Sequence, residues 1–263
     1  MNLLTMLTNV TKAYGQNHFL FLGLSVLTIV AMVVIVKVKK LNLSQILKFM
    51  AVVAVASELI VMTMNVTVPV YNDNEELIGY LLSKRALPLH MCSIQIFFII
   101  ILNIVKNEKF KNALLAFMYP TCLAGAFMAL LIPTVEDISF GNLRTWEFFM
   151  FHAFLVGFGL CIALSGEVKI NTKSCLRTSG ILILLFIASI YINSILSIPG
   201  ADPDLQTNFF FSSAPPMQGL PILNMNHGWH VYALSMICVG VTLMVILHIP
   251  FFIKENKEKK QNK

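Results

Sequence analysis

The stretch LPLHMCSIQIFFIIILNIV, Leu87 to Val105, decides the fold class, because it is long and apolar enough to enter a bilayer as a helix. A hydrocarbon core of roughly 30 Å takes about 20 helical residues to cross. Its first turns nevertheless carry polar side chains that lipid penalises, namely His90, Cys92, Ser93 and Gln95. Such residues usually face a bundle interior or a watery cavity. The stretch therefore predicts a site as well as a span.

Similar apolar stretches recur along the chain, which is 57% hydrophobic and only 12% charged, against roughly 25% charged residues in a soluble domain. Backbone groups in lipid must be hydrogen-bonded within the segment, so the spans are predicted to be helices. We expect an all-α polytopic membrane protein that forms one domain over residues 1–263. The seven predicted spans are Phe19 to Val36, Gln45 to Thr67, Leu87 to Val105, Ala113 to Leu131, Trp146 to Ser165, Thr178 to Ile198 and Trp229 to Ile253.

The distribution of lysine and arginine predicts the orientation, because short loops rich in these residues stay cytoplasmic. Fifteen of the nineteen basic residues fall after the first, third, fifth and seventh spans. The chain is therefore predicted to lie in the cell membrane with its N-terminus outside the cell and its C-terminus inside the cell. The net charge of +6 is explained by these basic residues on the cytoplasmic side, where they lie beside anionic headgroups. The predicted partners are membrane lipids and not nucleic acid.

Polar side chains from five predicted helices converge on the outer half of the membrane. His152 lies six residues beyond Trp146, or about 9 Å deep, because a helix rises about 1.5 Å per residue. The others at similar depth are His90, Glu58 in the second span, Asn193 in the sixth and His230 at the start of the seventh. Convergence of this kind predicts a pocket open to the outside.

Other roles remain open for several of these residues. Glu58, Gln95 and Asn193 also suit hydrogen bonds between neighbouring helices. His90, His152 and Glu58 could form a three-ligand metal site only as a remote option, since no local motif such as HExxH supports it. We therefore predict no metal and no cofactor.

The segment at 199–228, PGADPDLQTNFFFSSAPPMQGLPILNMNHG, is predicted to be an outer loop. It is far longer than the usual connection of about 4–6 residues, and long ordered loops are often lids or binding elements. A plain solvent loop is the alternative. The candidate substrate-binding residues are Glu58, Gln95, Asn193, His230 and, from this loop, Asn208.

Three motifs, LPLHMCSIQIF, EFFMFHAFLVGFGL and TNFFFSSAPP, occur in this order on the chain. They resemble the bacterial YwaF-type integral membrane family, which is distantly similar to the animal transmembrane protein 164 group. The resemblance to the animal group implies a membrane acyltransferase that moves a fatty acyl chain between phospholipids, with a cysteine nucleophile. The Pro-Cys-His motif of that group, laid on Pro88-Leu89-His90, assigns its histidine to His90 and leaves Leu89 in place of the cysteine. The fifth-span histidine of the group corresponds to His152.

Another nucleophile is then required, and helical geometry favours Ser93. Successive helical residues turn by about 100°, so Cys92 at i+2 points away from His90, whereas Ser93 at i+3 shares its face. The predicted catalytic residues are His90 as general base, His152 as second base or electrophile, and Ser93 or Cys92 as nucleophile.

The sequence thus favours a membrane-embedded enzyme that acts on lipid esters from the outer half of the bilayer, as an acyltransferase or a hydrolase. The alternative is a transporter or a ligand-sensing seven-helix protein. In that protein Glu58, His90 and His152 would bind a cation or a small polar solute. No internal repeat or pair of broken helices supports a carrier.

Overall fold

The computed structural model describes residues 11–135, 137–198, 206–217 and 219–261, and most of these residues are helical. Over these residues the chain forms seven α-helices and one pair of strands. The helices are α1 (Gln16–Val38), α2 (Leu43–Met64), α3 (Met91–Ile104), α4 (Glu108–Leu131), α5 (Leu143–Ser165), α6 (Thr172–Leu196) and α7 (Trp229–Gln261). The strands are β1 (Val66–Tyr71) and β2 (Leu77–Leu82).

Six of the described helices are long and apolar enough to cross a membrane, and the exception is α3. With 14 residues α3 is about 21 Å long, short of a hydrocarbon core of roughly 30 Å. The chain is therefore a multi-pass membrane protein with six candidate spans. The seventh span and the orientation of the termini stay predictions.

Helix α3 begins four residues later than predicted, and Pro88 supplies the reason. A proline disfavours the α conformation in the residue before it, and Leu87 is accordingly extended (ψ 136°). His90 is also extended (φ −76°, ψ 157°) and is the N-cap residue of α3. The premise of a regular helix that includes His90 is therefore incorrect, whereas the pairing of His90 with Ser93 stays a prediction.

A β-hairpin joins α2 to α3, so the expectation of an entirely α-helical chain is wrong in this segment. β1 pairs with β2 in antiparallel fashion, and both strands are rich in β-branched, leucine and tyrosine residues. The turn is held by Asn72, whose Oδ1 accepts hydrogen bonds from the backbone N–H groups of Asn74 and Glu76. Pro69 is tolerated because both strands of a two-stranded sheet are edge strands.

Helix α5 lies at the centre of the bundle and packs against α1, α2 and α4. Its side chains Phe149 and Phe158 are fully buried, and the Phe149 ring stacks on Phe21 of α1 at 5.0 Å. Two glycines bring neighbouring helices close, as small residues do at membrane helix interfaces. Gly157 faces Met32 of α1, and Gly159 faces Leu123 and Tyr119 of α4.

Gly159→Ala is expected to lower the free energy of unfolding by about 1–3 kcal/mol through overpacking. An added Cβ would lie 2.9 Å from Leu123 Cγ and 3.0 Å from the backbone oxygen of Tyr119. Gly180→Ala in α6 is the control, because a Cβ there meets no atom within 4 Å. Unfolding in detergent measures both variants, and an equal stability for the two would contradict the close α4–α5 packing.

Helices α6 and α7 pack together and also against α4. The hydroxyl of Tyr119 in α4 donates a hydrogen bond of 2.6 Å to the carbonyl of Leu247 in α7. The starts of α3, α5 and α7 and the ends of α4 and α6 lie on the side of the bundle that carries the hairpin and the described parts of 206–228. We refer to it as the loop side. A space remains between α3, α4, α5, α6 and α7 on this side.

Candidate functional site

A cavity of about 360 Å³ occupies this space on the loop side. Its wall is mostly apolar and is formed by methionine, leucine, isoleucine, valine and phenylalanine side chains of α4, α6, α7 and the described parts of 206–228. Polar side chains enter it from α3, α4, α5 and the short connection after α4. They are His90, Cys92, Ser93, Thr121, Thr134, Arg144 and His152. The structure thus brings all four predicted catalytic residues to one cavity.

His152 is held in a defined orientation by the backbone of its own helix. Its side chain is 8% exposed, and Nδ1 lies 2.6 Å from the carbonyl oxygen of Phe148. Because a carbonyl only accepts hydrogen bonds, Nδ1 carries the proton and the neutral ring keeps its lone pair on Nε2. This tautomer suits a base at Nε2. It does not suit the alternative role as an electrophile, which needs a proton on that nitrogen.

His90 lies at the mouth of the cavity, in contact with the aromatic residues of the loop. The centroid of its ring is 5.2 Å from that of Phe209 and 5.6 Å from that of Phe211. The imidazole forms no hydrogen bond with the described residues, so both ring nitrogens remain available to a ligand.

Ser93 and Cys92 differ in what surrounds their side chains. The Ser93 hydroxyl forms no hydrogen bond with the described residues, whereas Ser25 and Ser194 bond a carbonyl of their own helix. Ser93 has no such partner because the chain four residues before it is not yet helical. Cys92 lies against α4, with Sγ 3.7 Å from the place of a Cβ on Gly125. Of the two candidate nucleophiles, Ser93 therefore has the less constrained side chain.

The segment Phe209–Phe211 closes the cavity in a strained conformation. Phe210 and Phe211 both have left-handed backbones, with φ of 55° and 53°, and both line the cavity. A conformation of this kind persists only where the surroundings hold it. Asn193 supplies part of that support, because its Oδ1 accepts from Phe209 N at 2.9 Å and its Nδ2 donates to Phe209 O at 3.0 Å. The Trp229 indole donates to Ser212 O, and the Tyr232 hydroxyl to Phe211 O.

None of the five predicted substrate-binding residues lines the cavity in the described structure. Asn193 anchors the loop, and Asn208 accepts hydrogen bonds from Ser213 N and Ala214 N in a turn. Gln95 donates to Thr121 Oγ1 of α4 at 3.2 Å, which is the interhelical role left open above.

Glu58 and His230 lie outside the cavity lining for different reasons. Glu58 lies half-buried on α2, which contributes no lining residue to the cavity, and His230 is exposed at the start of α7. The structure therefore does not group these two residues or the three amides with the cavity, and their role as substrate contacts stays a prediction.

The sequence analysis missed an ion pair beside the cavity, formed by the half-buried Arg144 and the buried Glu147. The Glu147 side chain is only 4% exposed, and it pairs with Arg144 and accepts a hydrogen bond from the hydroxyl of Ser57. The Arg144 guanidinium also lies 5.7 Å from the centroid of the Phe148 ring and lines the cavity. The signal was present in LRTWEFF, where opposite charges stand three residues apart at the start of an apolar helix.

The described residues contain no group of three His, Cys, Asp or Glu side chains near enough to share a metal ion. Of the remote three-ligand set, His90 and His152 line the cavity and Glu58 does not.

Comparison with known proteins places the chain in a family. A search of curated proteins and a search of solved structures each found no match. A scan against protein families matches residues 13–248 to the TMEM164 family. The matched region contains the four residues predicted to be catalytic and Arg144. The resemblance to the bacterial YwaF-type family stays a prediction. The chain belongs to the TMEM164 family.

Proposed function

We propose that this chain is a membrane-embedded enzyme that transfers or hydrolyses an acyl chain of phospholipids. One observation carries the proposal: two histidines, an arginine and a serine hydroxyl that bonds none of the described residues share a largely apolar cavity. The apolar wall suits acyl chains, and the polar residues supply a base, a nucleophile and the guanidinium of Arg144, which is also paired with Glu147. The acyl transfer implied by the resemblance to the animal group supports the same chemistry.

The order of the polar residues along α5 fits the order of groups in a phospholipid. Arg144 stands eight residues before His152, so it lies about 12 Å closer to the loop side. Arginine binds phosphate through charge-assisted hydrogen bonds. We therefore assign Arg144 to the lipid phosphate and the deeper His152 to the region of the ester.

In the first step the Ser93 hydroxyl attacks the ester carbonyl and forms a bond from Oγ to the acyl carbon. His90 accepts the hydroxyl proton and returns it to the departing glycerol oxygen as the ester C–O bond breaks. The products are an acyl-serine and a lysophospholipid. In the second step water or the hydroxyl of an acceptor lipid attacks the acyl-serine, and His152 Nε2 accepts its proton, which returns to Ser93 Oγ.

The topology predicted from the lysine distribution indicates which leaflet of the bilayer supplies the substrate. With the C-terminus inside, the loop side faces outward, and the substrate is a lipid of the outer half of the cell membrane. The apolar side chains of α4, α6 and α7 then contact the acyl chains, while the segment Phe209–Phe211 covers the ester from water.

The nucleophile is tested by trapping the acyl-enzyme. Purified natural protein, Ser93→Ala and Cys92→Ala are mixed with a phospholipid, quenched in acid and weighed by intact-protein mass spectrometry. We expect the mass of one acyl chain on the natural protein and on Cys92→Ala, and none on Ser93→Ala. An adduct lost only in Cys92→Ala would overturn the assignment to Ser93, and absence of any adduct would count against covalent catalysis.

A further inference from the structure

A second cavity, of about 250 Å³, lies on the side of the bundle opposite the loop side. It is formed between the first halves of α4 and α6 and the segment that precedes α6. It shares no lining residue with the first cavity. Nothing in the proposed chemistry uses it.

Three basic side chains, Lys169, Lys173 and Arg177, line this basic cavity. They are exposed, and none of them is ion-paired with a carboxylate in the described part of the chain. The carboxylates nearest in sequence or structure are engaged elsewhere. Glu167 accepts a hydrogen bond from Leu43 N, and Glu255 accepts from Lys259 and Thr172. The three cations therefore have no ion-pair partner among the described residues and remain available to an anion.

The deeper part of the basic cavity is apolar. Phe117 and Ile181 line it, and each stands nine residues after the start of its helix. The cavity thus extends about 13 Å along the helices from their first residues. A soluble anion would contact only the basic rim, whereas a lipid would also place its glycerol and first methylene groups against the apolar floor.

We propose that the basic cavity binds the phosphate of an anionic phospholipid in the leaflet opposite the loop side. Lysine and arginine are the usual partners of phosphate oxygens, and basic pockets between membrane helices bind anionic headgroups. The spacing of the three cations around one cavity distinguishes this site from the general basic fringe of the membrane surface. The site is independent of the proposed function.

The test measures binding of phosphatidylglycerol to the full chain in detergent, through the rise in melting temperature with lipid concentration. The triple variant K169Q/K173Q/R177Q is expected to lose roughly a hundredfold in affinity, since each basic residue near an anionic headgroup contributes a factor of about five. The substituted residues are exposed, so the melting temperature without lipid should be unchanged. Ala113→Phe, which fills the cavity without altering charge, should lose the same binding.

The matched control is K37Q/K39Q/K40Q, which removes three exposed charges on the same side of the bundle but outside the cavity. We expect its affinity to remain within about twofold of the natural protein, because these lysines do not line the site. An equal loss in the control would overturn the proposal in favour of a diffuse surface charge. Binding of inorganic phosphate as tight as that of phosphatidylglycerol would overturn it in favour of a free anion.

Discussion

His152→Asn is expected to lower the rate of acyl turnover by about 10²–10⁴-fold, the contribution of a positioned general base. Asparagine is chosen because its amide nitrogen takes the place of Nδ1 and keeps the hydrogen bond to the Phe148 carbonyl. The substitution therefore removes Nε2, together with Cε1, and keeps the anchoring hydrogen bond. The rate is measured on purified protein in liposomes, from the release of a labelled acyl chain, beside the melting temperature.

His248→Asn is the matched control for this prediction. His248 is also buried in a helix and its Nδ1 lies 2.8 Å from the carbonyl of Met244, four residues earlier, but it does not line the cavity. We expect turnover to be unchanged in this variant. A natural rate in His152→Asn, or an equal loss in both variants, would show that Nε2 of His152 does not take part in the reaction.

Arg144→Met is expected to lower the free energy of unfolding by about 3–5 kcal/mol, because it leaves a buried carboxylate without its counter-charge. The carboxylate belongs to Glu147, whose other contact is the hydroxyl of Ser57. Methionine keeps much of the length and apolar area of the arginine stem, so the loss reports the charge. Unfolding by heat or by SDS in detergent micelles measures it.

The double variant Arg144→Met/Glu147→Gln separates charge from shape. Glutamine keeps an acceptor for Ser57 and removes the charge, so most of the lost stability should return. Lys111→Met, which breaks the exposed pair with Glu108, should cost no more than about 1 kcal/mol. If the double variant is as unstable as the single one, a buried unpaired charge is not the cause.

The helices could be predicted because apolar stretches of about 20 residues have few other solutions in a bilayer. Two local features escaped that reasoning. The hairpin was missed because its strands are short and lie between two strong apolar signals. The late start of α3 was missed because apolar composition continues through Leu87, whereas the conformational restriction imposed by Pro88 is local.

The candidate site was predictable in part. His90, Cys92, Ser93 and His152 could be grouped by depth, because membrane helices all run roughly along the bilayer normal. Rotation about that axis could not be read from depth, so Gln95 and Asn193 entered the predicted substrate contacts although they bond neighbouring elements. Arg144 was not singled out, because it precedes the predicted fifth span. Its role depends on Glu147, a buried carboxylate that folding places beside it.

The central claim, that the loop-side cavity performs acyl transfer on phospholipids, is tested most directly on purified protein in liposomes. These contain a phospholipid with an isotopically labelled acyl chain and an unlabelled lysophospholipid, and the products are weighed by lipid mass spectrometry. We expect the labelled chain on the acceptor or as a free fatty acid with the natural protein, and on neither with His90→Ala. Absence of labelled product from natural protein that is folded, or equal product from His90→Ala, would contradict the claim.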